Sequence, residues 1–349
     1  MAINIKLLKQ ISETPGAPGF EGQIRNLVIQ KVSPLADKTT VDNLGNVVAF
    51  KKGKNRKKIM IAAHIDEIGL MVNHIDKNGF VKFHPLGGFD PKTLSSQRVI
   101  IHGKKDIIGV IGSKPIHLMK PDERKKSVEL SDFFIDTGLS QKDLEKIVEP
   151  GNPITREREL IEMGACVNGK SLDNRISVYI VLEALRELKK EILPYDLFTV
   201  FTVQEEVGIR GAQVATLEIQ PDFGFAVDTT IAFDVPGAAD HEMVTKLGEG
   251  AAIKIMDSSA IADYRMIQFM KNTAKQHKIK WQTEILPAGG TDTAHVQRMT
   301  KSGAIAGAVS VPTRHIHQVI ETIHKKDIEA CIKLLKHCIL DLDKHSWER

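Results

Sequence analysis

Strand-like and helix-like segments alternate along most of this 349-residue chain. Short apolar runs of strand length are separated by segments in which apolar residues recur every three or four positions. This alternation is typical of a mainly parallel sheet sandwiched by helices, so the predicted fold class is α/β. The predicted strands cover residues 46–50, 59–63, 197–203, 223–227, 281–286 and 304–309, and the predicted helices cover 5–35 (broken by a loop at 14–19), 176–190, 261–277 and 326–342.

The stretch between residues 69 and 164 has a different pattern. Short β-type runs alternate with turn signals such as DKNG and GKKD, and one short helix is predicted over 141–148. This pattern indicates a small, mostly antiparallel β domain. Because the α/β pattern resumes afterwards, we expect a β-rich domain at 69–164 inserted into a larger domain formed by 1–68 and 165–349. The basic run at 51–58 is predicted to be a solvated turn between two strands.

The charge balance and the number of cysteines argue against several classes of protein. Lys plus Arg total 48 against 44 for Asp plus Glu, and the net charge of +4 is spread along the chain, which argues against a nucleic-acid or membrane partner. The three cysteines form no Cys-x-x-Cys pair, so neither a disulfide framework nor a cysteine-rich zinc site is expected. Free thiols, an N-terminal stretch interrupted by charges and the lack of an apolar run of about 20 residues together predict a cytoplasmic protein.

Side chains of the kinds that bind metals follow the predicted strands. In open α/β sheets, ligands bind beyond the carboxyl ends of the strands. Residues from distant parts of the chain are therefore expected to meet there, although each of them alone has an ordinary structural explanation. Asp173 opens a predicted helix, where a helix-capping role is the alternative. The residues after strands are His64, Asp66, Glu205, Glu206, Asp228, His315 and His317.

This mixture of residues suits a site for two divalent metal ions. Two close cations require a shared carboxylate, and imidazole with carboxylate suits zinc, cobalt or manganese. A further carboxylate must lie near the attacking water as general base. Two adjacent carboxylates after a buried strand are costly unless they are paired or metal-bound. Because neighbouring strand residues point in opposite directions, Glu205 and Glu206 can divide into base and ligand.

Six segments in this order resemble the tetrahedral aminopeptidase family, which includes glutamyl and deblocking aminopeptidases and has relatives labelled endoglucanases. The segments are AHIDEIGLM (63–71), SLDNR (171–175), VQEEVGIRGA (203–212), VDT (227–229), PAGGTDTAHV (287–296) and RHIHQVIE (314–321). They extend over most of the chain, and their order is that of the family.

The resemblance implies a role for each candidate residue. Glu205 becomes the general base, and Asp66 orients the His64 ring or its neighbours. His315 stays a minor alternative to His317 as a ligand. The cofactors implied are two divalent ions per subunit, with zinc expected first and cobalt or manganese as alternatives. The implied ligands are His64 and Asp228 for one ion, Glu206 and His317 for the other, and Asp173 shared by both.

The resemblance also implies an activity and an assembly. The expected reaction is hydrolysis of N-terminal residues from peptides. The alternatives are another two-metal amidohydrolase or a carboxypeptidase on the same fold. A glycosidase is disfavoured, because it needs two carboxyl groups facing one bond. The β-rich domain is expected to mediate dimerisation, with dimers assembling into a tetrahedral dodecamer.

Two further segments have open interpretations. Residues 289–292 (GGTD) are predicted to form a tight loop in which Thr291 or Asp292 caps the following helix, and lining of a substrate pocket is an equal alternative. Lys254 could meet an acidic substrate side chain, but a solvated lysine is the preferred interpretation.

Overall fold

The computed structural model describes residues 3–348. Residues 1, 2 and 349 of the predicted larger domain therefore lie outside the described residues. The strands are β1 (Lys38–Val41), β2 (Val47–Lys51), β3 (Gly53–His64), β4 (Gly69–Ile75), β5 (Val81–Leu86), β6 (Arg98–His102), β7 (Asp106–Gly112), β8 (Phe134–Asp136), β9 (Pro153–Arg156), β10 (Ile161–Met163), β11 (Cys166–Gly169), β12 (Leu193–Thr202), β13 (Phe223–Ile231), β14 (Ala251–Met256), β15 (Trp281–Ile285), β16 (Ile305–Arg314) and β17 (Glu321–His324). The α-helices are α1 (Ile5–Glu13), α2 (Gly22–Val32), α3 (Pro121–Arg124), α4 (Gln141–Leu144), α5 (Leu172–Leu188), α6 (Arg210–Ile219), α7 (Tyr264–Gln276), α8 (Thr293–Arg298) and α9 (Lys325–Asp341).

The large sheet is parallel at its centre and antiparallel towards its edges. The central strands β12, β3, β13 and β16 run parallel to one another. On one side, β2 and β1 pair antiparallel next to β12, and on the other side β17, β11 and β10 continue antiparallel from β16. Apart from the first half of β3, the central strands are mostly buried on both faces, as expected of parallel strands covered by helices. The predicted α/β class is confirmed.

Alternating side chains of β3 pack into separate layers on the two faces of the sheet. Ile59 and Ile61 belong to a core cluster that also contains side chains of α1, α5 and α9. Met60 and Ala62 belong to a smaller cluster that contains side chains of α6 and α8. Because successive strand residues point to opposite faces, one apolar run anchors both layers of helices.

The β-rich middle of the chain forms a closed barrel. Its strands follow the order β4, β5, β8, β7, β6 and β9, and neighbouring strands are antiparallel. Its core is separate from those of the sheet and includes Val72, Ile101, Ile135 and Ile154. A separate small β domain is therefore present. Its division from the larger domain at residues 69 and 164 remains our proposal.

The predicted turn at 51–58 is wrong. β2 ends at Lys51 and β3 already begins at Gly53, and β12 lies between these two strands in the sheet. Residues 53–58 are the mostly solvent-exposed first half of β3. The lysine-rich first half of β3 has no alternation of apolar and polar residues, so the hydrophobic pattern could not predict it as a strand.

The structure also bears on membrane-spanning segments and on the state of the cysteines. Among residues 3–348, no helix is both long and apolar enough to cross a lipid bilayer. Within the same residues Cys166, Cys331 and Cys338 are free thiols, and the last two are buried in α9.

Candidate metal centre

The predicted ligands converge on one cleft at the carboxyl edge of the parallel strands. His64 is the last residue of β3, and His317 lies in the loop that follows β16. Asp228 lies inside β13, which continues to Ile231 and is longer than predicted. The cleft has a volume of about 760 Å³, and its lining includes His64, Asp173, Glu205, Glu206, Asp228 and His317.

Asp173 contacts two histidines with its carboxylate. Its Oδ1 lies 3.4 Å from His64 Nε2, and its Oδ2 lies 3.3 Å from His317 Nε2. The backbone at Asp173 is not helical (φ −79°, ψ 105°), and Ser171 rather than Asp173 occupies the capping position of α5. The capping alternative is wrong, because Ser171 occupies that position and both oxygens of the Asp173 carboxylate face histidines of the cleft.

The potential ligands form two groups that share Asp173. One group is His64, Asp173 and Asp228, and the other is Asp173, Glu206 and His317. Within each group, one ligand atom from each residue lies within 4.8 Å of the others. His64 Nε2 is 3.8 Å from Asp228 Oδ1, and His317 Nε2 is 3.2 Å from Glu206 Oε2. His315 is exposed and belongs to neither group.

Glu205 and Glu206 face different histidines. Glu205 Oε2 lies 3.8 Å from His64 Nε2, whereas Glu206 approaches His317. The reason that we predicted for this division, alternation along a strand, is wrong. β12 ends at Thr202, and the two glutamates lie in a turn after Gln204, whose φ is 54°.

Asp66 contacts the backbone of both glutamates and the ring of His64. Its Oδ1 accepts a hydrogen bond from the Glu205 N–H and its Oδ2 accepts one from the Glu206 N–H, each at 3.1 Å. The Nδ1 atom of His64 lies 3.2 Å from the Asp66 carbonyl oxygen and 3.4 Å from its Oδ1. Asp66 is fully buried, so these contacts fix the backbone of the turn and the orientation of the imidazole.

The carboxylates of the centre repel one another. Burial raises the pKa of Glu205 well above its usual range, and Asp228 and Glu206 add to this effect while His64 opposes it. Burial also raises the pKa of Asp228 well above its usual range. Burial lowers the pKa of His64, but hydrogen bonds with Asp173 and Asp66 outweigh it, so that the pKa is raised overall. These shifts are those expected of carboxyl groups crowded into a buried site, where bound cations would favour the ionised carboxylates.

The donor set fits divalent metal ions. Two imidazoles and three carboxylates are a combination that suits zinc, cobalt or manganese. Among the described residues, the buried Oε1 of Glu206 has no hydrogen-bond partner, as expected of a ligand atom. Asp173 lies between the two histidines, so one carboxylate can serve two ions.

Glu321 is a residue of the centre that our sequence interpretation missed. Its side chain is fully buried at the start of β17. Its Oε2 accepts a hydrogen bond from the Asp173 N–H at 2.8 Å, and its Oε1 accepts one from the His317 N–H at 3.2 Å. The available signal was its place in the RHIHQVIE segment, four residues after His317.

Two other predictions near the cleft can now be judged. Lys254 is not solvated: it is buried, forms an ion pair with Glu284 and lies 3.5 Å from Asp257. Lys254 lies on the buried strand β14, where a charged group needs a partner.

Asp292 makes no side-chain cap on α8 and instead accepts a hydrogen bond from the Thr202 hydroxyl. Residues 289–291 line the cleft, as in the pocket alternative.

Comparison with known proteins agrees with this architecture. A family model described as M42 glutamyl aminopeptidase matches residues 45–334. A putative aminopeptidase of Acetivibrio thermocellus is 39% identical over 95% of this chain and 97% of its own. The crystal structure of a TET aminopeptidase from a marine sediment archaeon of the Thaumarchaeota superposes with a TM-score of 0.94 at 37% identity, covering 97% of this chain and 96% of that one.

A second similar structure concerns assembly. It is the TET1 peptidase of Pyrococcus horikoshii, which is described as able to form a tetrahedron or a large octahedral shell. It is 30% identical, with a TM-score of 0.87 over 97% of this chain and 99% of that one. The family match and the relatives cover most of this chain, and the matched residues 45–334 include all those that line the cleft. The chain therefore belongs to the M42 glutamyl aminopeptidase family.

Proposed function

We propose that this protein is a two-metal aminopeptidase that removes N-terminal residues from peptides. The observation that carries the proposal is the position of Asp173, whose two carboxylate oxygens face two histidines from opposite parts of the centre. Each histidine has a second carboxylate beside it, and Glu205 is left as an additional acid in the same cleft. A structural ion-pair network would not require this pairing of two sites around one shared carboxylate.

The proposed ligands are those of the two groups, and zinc is the expected metal, with cobalt or manganese as alternatives. When bound, two divalent ions polarise a carbonyl group and lower the pKa of a water molecule. Glu205 accepts a proton from the attacking water and delivers it to the leaving amine. Burial raises the pKa of Glu205 above its usual range, which makes this carboxylate a stronger proton acceptor. Asp66 keeps Glu205 in position through its backbone N–H.

The proposal extends to assembly and location. We propose a homo-oligomer in which the barrel mediates dimerisation and dimers form a tetrahedral dodecamer in the cytoplasm. Strand β7 of the barrel and the segment between β7 and β8 expose apolar side chains: Ile108, Ile116 and Leu118 are 58%, 61% and 69% exposed. Apolar side chains of this size on a monomer favour burial against another subunit. Sedimentation or native mass spectrometry tests the subunit number.

The end of the peptide that is cut is tested with matched substrates. We expect hydrolysis of aminoacyl p-nitroanilides with a free amine, loss of hydrolysis when the same amine is acetylated, and no release of C-terminal residues. Removal of metal with a chelator is expected to abolish activity, and zinc, cobalt or manganese should restore it. Cleavage of the acetylated substrate, or of C-terminal residues, would instead support an amidohydrolase or a carboxypeptidase.

A glycosidase does not fit the centre, because that chemistry leaves the histidines without a role. It would also require paired carboxyl groups across a single glycosidic bond. Glu205 and Glu206 face different histidines, so they do not form such a pair. Hydrolysis of a β-glucan that persists in chelator would contradict the two-metal proposal.

We expect Glu321→Gln to weaken metal binding or activity by roughly 10–100-fold, the range found for residues that hold metal ligands in place. Glutamine has one acceptor oxygen, whereas the native carboxylate accepts from the N–H groups of Asp173 and His317. Competition with a chromogenic chelator measures the affinity. Glu162→Gln is the control, because Glu162 is an exposed residue of β10 in the same sheet. Unchanged affinity in both variants would exclude the positioning role.

A further inference from the structure

A second set of metal-ligating side chains lies away from the cleft, between helices α7 and α9. It consists of His277, His337 and Asp341, and one ligand atom of each lies within 4.8 Å of the others. None of the three lines the cleft. We propose that this set, the helix-pair site, binds one divalent transition-metal ion of the zinc, cobalt or nickel type.

The helices supply the ligands from rigid positions. His277 directly follows the last residue of α7, and its backbone N–H is hydrogen-bonded to the Thr273 carbonyl oxygen. His337 and Asp341 lie four residues apart on α9, so their side chains occupy the same face of that helix. The two helices pack against each other. One ion at this place would join two separate elements of the fold.

The three side chains lie within reach of one another. The rings of His277 and His337 are stacked, with centroids 3.6 Å apart and planes 18° from parallel. His277 Nε2 lies 2.6 Å from Asp341 Oδ2. Ligand atoms about 2.0–2.2 Å from zinc in a tetrahedral site are roughly 3.3 Å apart. Because an imidazole binds a metal in the plane of its ring, one of the two rings must turn out of the stacked arrangement before both histidines bind the same ion.

The chemistry of the set favours a borderline cation. Two imidazoles and one carboxylate leave a fourth position for water, as in zinc sites with three protein ligands. Calcium and magnesium prefer sites made of oxygen alone. The ion takes the place of the proton shared by His277 Nε2 and Asp341 Oδ2, so binding releases a proton. Lys344 forms an ion pair with the other oxygen of Asp341, Oδ1, and leaves Oδ2 for the site.

The test compares zinc content after equilibrium dialysis of the whole protein against buffered zinc. We expect His337→Phe to hold one zinc ion fewer per subunit than the native protein, because phenylalanine keeps the stacked ring but has no ligand nitrogen. Asp341→Asn is the second variant, and we expect the same loss. This difference does not depend on how many ions the cleft binds, so its outcome is separate from that of the proposed aminopeptidase function.

Two control variants sharpen the comparison. His345→Phe removes a histidine that contacts Phe269 and Trp347 but is outside the site, and Lys344→Gln removes only the ion pair with Asp341 Oδ1. Both should keep the native zinc content. We also expect zinc to raise the unfolding temperature less in His337→Phe than in the native protein. Equal zinc content in the native protein, His337→Phe and Asp341→Asn would overturn the proposal.

Discussion

Replacing Glu205 by glutamine is expected to lower kcat by roughly 10²–10⁴-fold, the contribution typical of a general acid–base residue. Glutamine has nearly the same shape, and its backbone N–H can still donate to Asp66. Its amide, however, cannot accept a proton from water. Because Glu205 belongs to neither group of proposed ligands, the metal content should stay that of the native protein.

The measurement combines steady-state kinetics on an aminoacyl p-nitroanilide with elemental analysis of the dialysed protein. Glu206→Gln is the informative comparison, because it should lose metal as well as activity. Glu159→Gln, a change at an exposed carboxylate that pairs with Lys9, should behave like the native protein. Native kcat in Glu205→Gln would show that another group transfers the proton. Loss of metal in that variant would show that Glu205 is a ligand.

Asp173→Asn should have the other large effect, on metal content and activity together. The asparagine side chain has one oxygen and no charge, so it cannot offset the repulsion between two cations as the native carboxylate can. Metal ions provide several kcal/mol of transition-state stabilisation, which corresponds to roughly a thousandfold or greater loss of kcat/KM. Both groups of ligands contain Asp173, so we expect both to bind metal more weakly.

His317→Ala tests a ligand that belongs to one group only, in contrast to the shared ligand Asp173. His317 belongs to a single group, so its loss should lower metal content less than Asp173→Asn does. Elemental analysis over a series of zinc concentrations measures this difference. Asp136→Asn changes an exposed residue of the barrel strand β8 and is the matched control. Native metal content in Asp173→Asn would contradict the role of Asp173 as a bridge.

The class of fold was predictable because its signals are local. Apolar runs such as 59–63 mark central parallel strands whatever their partners are, and β3 indeed lies at the centre of the sheet. The order of strands in the sheet was not predictable in this way. The insertion of β12 between β2 and β3 joins segments more than 130 residues apart, and nothing in residues 51–58 records that pairing.

The candidate site was predictable to the extent that ligand-type residues follow strands. His64 and the glutamates after β12 were found by that reasoning, because parallel strands end at the same edge of the sheet. The role of Asp173 was ambiguous, since its position at the start of a helix does not indicate which way its carboxylate points. Lys254 was misjudged for a related reason: the burial of one side chain depends on which strands cover it, and here β14 lies between β15 and β16.

The amino-acid sequence by itself determined the α/β class, the separate β-rich unit and the residue types at the strand ends. These properties depend on the periodicity of apolar residues and on the chemistry of single side chains. Only the tertiary structure decided that Asp173 faces two histidines, that Asp66 holds two backbone N–H groups and that Glu321 links the Asp173 and His317 segments. Each of these contacts joins parts of the chain that are distant in sequence or lie in irregular loops. Their electrostatic interactions are strong because the groups are buried, and that burial arises only when the sheet and its helices enclose them.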